Sequence, residues 1–310
     1  MADLSERAKN ALKLATRAGR RLGLAAREPR VLYDVFNVQV HLAPDPVVVR
    51  VPSLTFSSAD EQAARQRREL AVVGWLADRG APVVPPSPLV PREPVECDDR
   101  SLTFWEYVDE RDSIRDARPE ELEGRFAEQT GWVAELHRLM ADCPVELPVL
   151  TPLVPGVEQL LSRLRAHRPE PLTAADLDRA EREYAVAETL AGDLTRYFPG
   201  ARPQTLHGDS PPYNVLLTAH GHLFGDFEDV TRGPVEWDLA GAGPRAVEEY
   251  ERAGGRRVDP ELLAWMERAR LLQAVAALAL ATQMPELGPM LEPLLAQWRE
   301  HPPLTLEKTG

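Results

Sequence analysis

Hydrophobic and polar positions along this chain follow two rhythms, and the change from one to the other falls near residue 108. At the start, Leu4, Ala8, Leu12, Ala15, Ala18 and Leu22 recur every three or four positions, which predicts a helix over 3–26 that ends before Pro29. Short runs rich in β-branched residues then predict strands at 31–35, 37–42 and 47–51, the last entered through the turn Pro44-Asp45-Pro46. A helix is expected from about Ser58 to Arg79, with Asp60-Glu61 in its first turn and Gly80 at its end. Residues 82–94 are proline-rich and expected to be extended, and Leu102–Val108 reads as one more strand.

Beyond Val108 the period lengthens to that of helices. Segments 119–141, 157–166, 174–197, 245–253, 260–283 and 286–300 are amphipathic helix candidates, and 206–239 interrupts them with short strands. Strands with one helix come first and helices after, with no internal repeat. This order describes an α+β chain in parts: a basic helix (1–29), a small β-rich lobe (30–108) and a larger, mostly helical lobe (109–310). Trp265 and Met266 are expected in the core, and His137, on the apolar side of its helix, is expected to be a packed structural residue.

Composition narrows the classes. A hydrophobic content of 44% over 310 residues supports a real core. No apolar run approaches the roughly 18 residues of a membrane span, and the charged N-terminus lacks a signal-peptide core, so a cytoplasmic protein is expected. Cys97 and Cys143 make neither a disulfide framework nor a metal cluster. The net charge is −13, yet residues 1–30 hold eight Lys/Arg against three acids. So acidic a body is not expected to bind nucleic acid and would attract cationic ligands. Asp109, Glu110, Asp112 and Asp116, and later Glu228, Asp229, Glu248, Glu249 and Glu251, would supply that attraction, or simply form solvated helix faces. The only lysines are Lys9, Lys13 and Lys308, so an interior cation that grips phosphate has to be an arginine.

The chemistry concentrates in 206–239. His207-Gly208-Asp209, then Asn214, then Asp226 are separated by the apolar runs 215–217 and 222–224. Two carboxylates and an amide at this spacing suit a metal-dependent phosphoryl transferase. Asp209 would orient and deprotonate a hydroxyl, while Asn214 and Asp226 hold Mg²⁺ on a nucleotide's phosphates. Gly208 would permit the tight turn that aims Asp209, and His207 and Asp238 would brace the loop. Glu228 would touch a second metal or cap its turn.

These motifs resemble the aminoglycoside phosphotransferase and choline kinase family, which shares the two-lobed protein-kinase-like fold. The resemblance rests on His207-Gly208-Asp209 with Asn214, on Asp226-Phe227-Glu228, and on Trp237-Asp238-Leu239-Ala240. It implies a catalytic Asp209 and metal ligands Asn214 and Asp226. It also implies that Arg50, at the end of Val47-Val48-Val49, contacts the nucleotide phosphates with Glu69 as its ion-pair partner. Residues 31–50 contain no glycine, so backbone amides near Val35-Phe36-Asn37 would replace a glycine-rich loop, with Phe36 over the phosphates or in the core. Residues 104–109, with Trp105, Glu106 and Tyr107, would be the hinge whose backbone meets the purine.

The resulting expectation is a small-molecule kinase, monomeric or homodimeric. It would transfer the γ-phosphoryl of Mg-ATP or Mg-GTP to a hydroxyl of an antibiotic, an aminoglycoside first and a nucleoside or peptide antibiotic next. Two alternatives stand beside it: a metabolic kinase of choline, a sugar or an amino alcohol, and a nucleotide-binding regulator without catalysis.

Overall fold

The computed structural model describes residues 4–54, 57–114 and 117–306; Asp116, Lys308 and the rest lie outside them. The first elements in the chain are α1 (Glu6–Arg21), β1 (Glu28–Asp34), β2 (Asn37–Ala43), β3 (Val47–Pro52), α2 (Ala59–Ala77), β4 (Val95–Cys97) and β5 (Arg100–Glu106). Next come α3 (Pro119–Met140), α4 (Gly156–Ala166), α5 (Ala174–Gly192), α6 (Leu194–Tyr197), β6 (Gln204–Leu206), a 3₁₀ turn at Pro211–Asn214, β7 (Val215–Thr218) and β8 (Gly221–Phe224). The chain finishes with β9 (Thr231–Gly233), α7 (Glu236–Leu239), α8 (Pro244–Arg252), α9 (Pro260–Ala277), a 3₁₀ turn at Leu278–Thr282 and α10 (Leu287–Glu300). Packing divides it into two compact units, residues 1–116 with 215–228, and 117–214 with 229–310. Chain order alone placed 215–228 with the later residues; by packing, the β7–β8 hairpin groups with the first unit.

The first unit is built on an antiparallel sheet in the order β1-β2-β3-β5-β4. Every residue of β3 is buried, which explains its unbroken valine run: a strand covered on both faces has no reason to alternate. One face of the sheet carries α1. The sequence expected this helix over 3–26; it runs only to Arg21, and Gly23, at φ +88°, turns the chain into β1. Its buried stripe is small: Ala8, Ala11, Ala15, Ala18 and Gly19. That smallness lets the helix lie close to the sheet, and a Cβ on Gly19 would stand 2.4 Å from Leu42 Cδ1. The helix α2 starts on a reciprocal cap between Ser58 and Glu61. Gln66 ties it to β5, with its Nε2 donating to the Ser101 carbonyl at 2.9 Å. The strand β4 was not foreseen, because Val95–Cys97 offers three residues and no period.

The second unit is helical, with β6 and β9 paired antiparallel, Leu206 opposite Thr231. Helix α3 packs along α8, and α9 packs against α4, α5, α7 and α10. The helix expected over 174–197 breaks at Asp193, whose side chain caps α6, and the one expected over 260–283 tightens to 3₁₀ geometry at Leu278. Trp265 and Met266 are buried, as the amphipathic pattern required. The short β6–β9 pair is what presents the motif loop: β6 ends at Leu206 and β9 begins two residues after Asp229.

Candidate active site

The candidate residues form two connected clusters, one within each unit. In the first unit, β3 carries Arg50 into the interior, where 3% of its side chain is exposed. Its guanidinium makes a fork with the Glu69 carboxylate of α2, Nη1 donating to Oε1 at 2.8 Å and Nη2 to Oε2. Nη1 also donates to Asp226 Oδ1 at 2.9 Å, and Nε lies 3.8 Å from Glu228 Oε2. The Trp105 ring lies 5.5 Å from the guanidinium carbon. Burial opposes the charge on Arg50, but Glu69, Glu228 and Asp226 outweigh it and raise its pKa. Burial likewise pushes the Glu69 carboxyl up to about 7 against the pull of Arg50.

Glu228 is held from three sides. Asn37 Nδ2 donates to it at 3.1 Å, Arg65 Nη1 stands 3.6 Å away, and Arg50 completes the set. Burial would raise its pKa, yet Arg50 and Arg65 hold it below the usual carboxylate value. Asp226 is the exposed member of the cluster and has the left-handed φ of +56°, which aspartate tolerates better than most residues. Phe36 is 47% exposed at the tip of the β1–β2 hairpin, where Ser53 Oγ donates to its carbonyl at 2.7 Å. The side chain is therefore not in the core.

The three hinge candidates do different things. Trp105 is buried, with its Nε1 donating to Thr103 Oγ1 at 2.9 Å. The Glu106 amide donates to the Pro85 carbonyl and the Tyr107 amide to the Pro46 carbonyl, at 3.0 and 2.9 Å. The Tyr107 ring stacks on His41 with centroids 4.0 Å apart.

In the second unit the motif loop is pinned by Asp238, which is 1% exposed. Its Oδ2 accepts from the His207 amide at 3.0 Å and its Oδ1 from the Gly208 amide at 2.8 Å. His137 Nε2 lies 3.0 Å from Oδ2, and His137 Nδ1 is 3.0 Å from the Tyr250 hydroxyl. Burial would raise the Asp238 pKa, but the hydrogen bond from His137 and the charges nearby keep it below the usual range. Gly208 has φ +91°, and a Cβ there would come 1.9 Å from the Asp229 carbonyl oxygen, so only glycine fits. The Gly208 carbonyl accepts from Trp237 Nε1 and from Arg270 Nη2, each at 2.9 Å.

Held this way, the loop exposes Asp209 to solvent. Asn214 Nδ2 donates to the Asp209 carbonyl at 2.8 Å and reaches Asp209 Oδ2 at 3.5 Å, and the oxygen of the same amide is the kind of atom a hard cation takes. Mg²⁺ is normally held by one or two carboxylates together with phosphate oxygens. The Asp226 carboxylate and the Asn214 amide oxygen are donors of the right type for it. Among the described residues, no group of three or more His, Cys, Asp and Glu side chains is disposed to hold a metal.

Sequence reasoning missed Arg65 and Arg270, whose helices show nothing unusual at those positions. It also read His137 as packed without seeing that it packs against the acid that holds the loop. The signal for His137 was present, since a buried imidazole needs a partner and Asp238 was the buried acid at hand.

The model of the phosphotransferase enzyme family APH matches residues 32–278. By sequence, no curated protein matches the chain. Among solved structures, the GDP and kanamycin complex of APH(2")-IIia superposes with a TM-score of 0.60 at 16% identity, covering 93% of this chain and 99% of that one. Choline kinase LicA from Streptococcus pneumoniae gives 0.61 at 14% identity, covering 94% and 100%. A choline/ethanolamine kinase family protein from Mesorhizobium loti gives 0.60 at 17%, covering 96% of each chain. These likenesses show the fold, the two-lobed protein-kinase-like one with its small antiparallel sheet and helical remainder.

Proposed function

Because this chain belongs to the phosphotransferase enzyme family APH, we propose that it moves the γ-phosphoryl group of ATP or GTP, bound with Mg²⁺, onto a hydroxyl of a small molecule. One observation carries the reading. The loop that bears Asp209 is tied by both of its preceding amides to the buried Asp238, and it leaves the Asp209 carboxylate in solvent. A loop so costly to arrange, with a glycine that admits no side chain, suits a carboxylate that must meet a substrate.

The transfer is then mostly positioning. Asp209 accepts the hydrogen bond of the acceptor hydroxyl and takes its proton as that oxygen bonds to the γ-phosphorus and the bond to the bridging oxygen breaks. In the first unit, Arg50 offers its charge to the phosphates while Glu69 keeps the guanidinium in place. Asp226 there, and Asn214 in the second unit, would hold Mg²⁺, which when bound offsets the negative charge of the phosphates. In the Val35–Asn37 hairpin the Val35 amide already donates to the Asn37 carbonyl at 3.3 Å, so the Phe36 amide is the one that would meet the phosphates. With the Glu106 and Tyr107 amides already engaged, a purine at the end of β5 would meet the Val108 amide and neighbouring carbonyls. Glu228, bound by Asn37 and Arg65, braces this cluster instead of holding a second metal.

The acceptor class we favour is an antibiotic, an aminoglycoside first and a nucleoside or peptide antibiotic next, modified in the cytoplasm. The acidity of the chain, −13 overall, supports a cationic acceptor. A metabolic role on choline, a sugar or an amino alcohol is the second reading, since choline kinase structures match the fold as well as aminoglycoside enzymes do.

The test is nucleotide consumption with Mg-ATP and Mg-GTP over a panel of antibiotics, choline, sugars and amino alcohols, with product mass as the second readout. Turnover on one class, adding one phosphoryl group and falling by roughly 10²–10⁴ in Asp209→Asn, is the expected result. Nucleotide binding with no transfer to any acceptor would turn the reading to a regulator.

A further inference from the structure

The structure assigns to Arg270 a positioning role: its guanidinium holds the Gly208 carbonyl, and through that peptide sets where the Asp209 carboxylate points. This rests on the reading of Asp209 as the catalytic carboxylate. Arg270 stands on α9, more than sixty residues after the loop, and no sequence motif surrounds it. Three observations carry the assignment.

The first is the geometry of one peptide. The unit joining Gly208 to Asp209 is fixed at its carbonyl by two donors, Trp237 Nε1 and Arg270 Nη2, each at 2.9 Å. At the other end of Gly208, the N–H is fixed by Asp238. With φ already committed to +91°, the plane of this peptide, whose N–H end donates to His207 Nδ1 at 3.4 Å, sets the position from which the Asp209 side chain departs.

The second is that Arg270 is itself held in register. Its guanidinium carbon lies 3.8 Å from the centre of the Trp237 ring, within cation–π range. Nη1 donates to Gln273 Oε1 at 2.9 Å, and Nη2 also reaches the Trp237 carbonyl at 3.3 Å. One cation thus clamps two backbone carbonyls, one in the loop and one in α7.

The third is cost. Burial lowers the Arg270 pKa although Asp209, Asp238 and Asp229 pull it upward, and its Nε is buried with no hydrogen-bond partner. A half-buried cation with an unused donor is expensive for a purely structural post, where an apolar side chain on the Trp237 ring would serve. A positive charge among three carboxylates around the loop gives the expense a purpose.

The experiment uses the full chain with Arg270→Met and Arg270→Lys. Methionine keeps much of the stacking volume on Trp237 and removes the donor; lysine restores one donor and the charge. Two readouts are taken. Amide hydrogen exchange over residues 204–216 should speed up by roughly tenfold in Arg270→Met, with the β2–β3 region unchanged. On the acceptor found by the panel, kcat should fall by roughly 10- to 100-fold with the KM values for nucleotide and acceptor held within about twofold. Arg270→Lys should recover part of both losses.

Loop exchange identical to wild type in Arg270→Met would overturn the assignment, whatever the activity. So would a loss confined to KM, or a lysine variant no better than methionine. If wild type and Asp209→Asn turn over equally slowly, the catalytic reading of Asp209 fails, and the exchange measurement still decides whether Arg270 holds the loop.

Discussion

Replacing Asp238 with asparagine should damage this protein more than its one-atom change suggests. The side chain is 1% exposed and receives three donors: the His207 amide and His137 Nε2 on Oδ2, at 3.0 Å each, and the Gly208 amide on Oδ1 at 2.8 Å. An asparagine keeps one acceptor. With its oxygen placed to serve His207 and His137, its NH₂ faces the Gly208 N–H, donor against donor. A hydrogen bond to a charged acceptor is lost, worth about 1.5–3 kcal/mol, and a buried amide is left unsatisfied at about 1–3 kcal/mol. Gly208 has little room to adapt, because the Asp229 carbonyl packs against it. The sum is roughly 2.5–6 kcal/mol. At roughly 2–4 °C per kcal/mol for a domain somewhat smaller than this chain, the thermal midpoint should drop by about 5–24 °C. Urea unfolding at neutral pH, read at constant m, measures the loss directly. The matched control is Asp209→Asn, an exposed site whose stability should stay within about 0.5 kcal/mol of wild type while turnover collapses. An Asp238→Asn variant that unfolds at the wild-type midpoint would refute the claim that this carboxylate holds the loop.

Gly208→Ala should lose turnover and roughly 2–4 kcal/mol of stability by denaturant titration, from a positive φ and a Cβ 1.9 Å from the Asp229 oxygen. Glu69→Ala strips the buried Arg50 of its fork and should cost about 3–5 kcal/mol in the same assay, with Asp226 left as its nearest anion. Arg299, with Thr173, holds Asp176 at about 2, below the ordinary 3.8. A carboxyl depressed on folding stabilises above its unfolded pKa, so this contribution is complete above about pH 4 and lost as the pH falls toward 2. Because Arg299 is 39% exposed, the contribution is discounted to about 1 kcal/mol. Unfolding of Asp176→Asn followed from pH 6 to pH 2 should show that much less acid sensitivity.

How far the sequence could be read depends on where each residue's meaning resides. The motif loop was legible because its constraints are local: Gly208 must be glycine for its own φ, and Asp209 and Asn214 lie five residues apart and meet in one turn. The valine run of β3 announced a strand, but the pairing of Arg50 with Glu69 was expected only from the family resemblance, since the two residues by themselves read as a strand-edge arginine and a solvated helix glutamate. The helix α1 was foreseen and overextended, since periodicity continues past Gly23 while the backbone does not. The strands β4, β6 and β9 are three residues each, too short to show a period, and exist through pairing with distant partners.

What the sequence determined by itself is therefore the motif on which the proposed chemistry rests and the class of fold: an acid, an amide and a second acid at kinase-like spacing, in a chain that begins as strands and ends as helices. Tertiary structure alone decided what keeps that chemistry in place. That His137 and Tyr250 back Asp238, that Arg270 takes the Gly208 carbonyl, and that Glu228 answers to Asn37 and Arg65 are contacts between residues 62 to 191 positions apart. Hydrogen bonds and ion pairs act over a few ångströms, and which side chains come that close is set by how helices and strands pack, which no local pattern records.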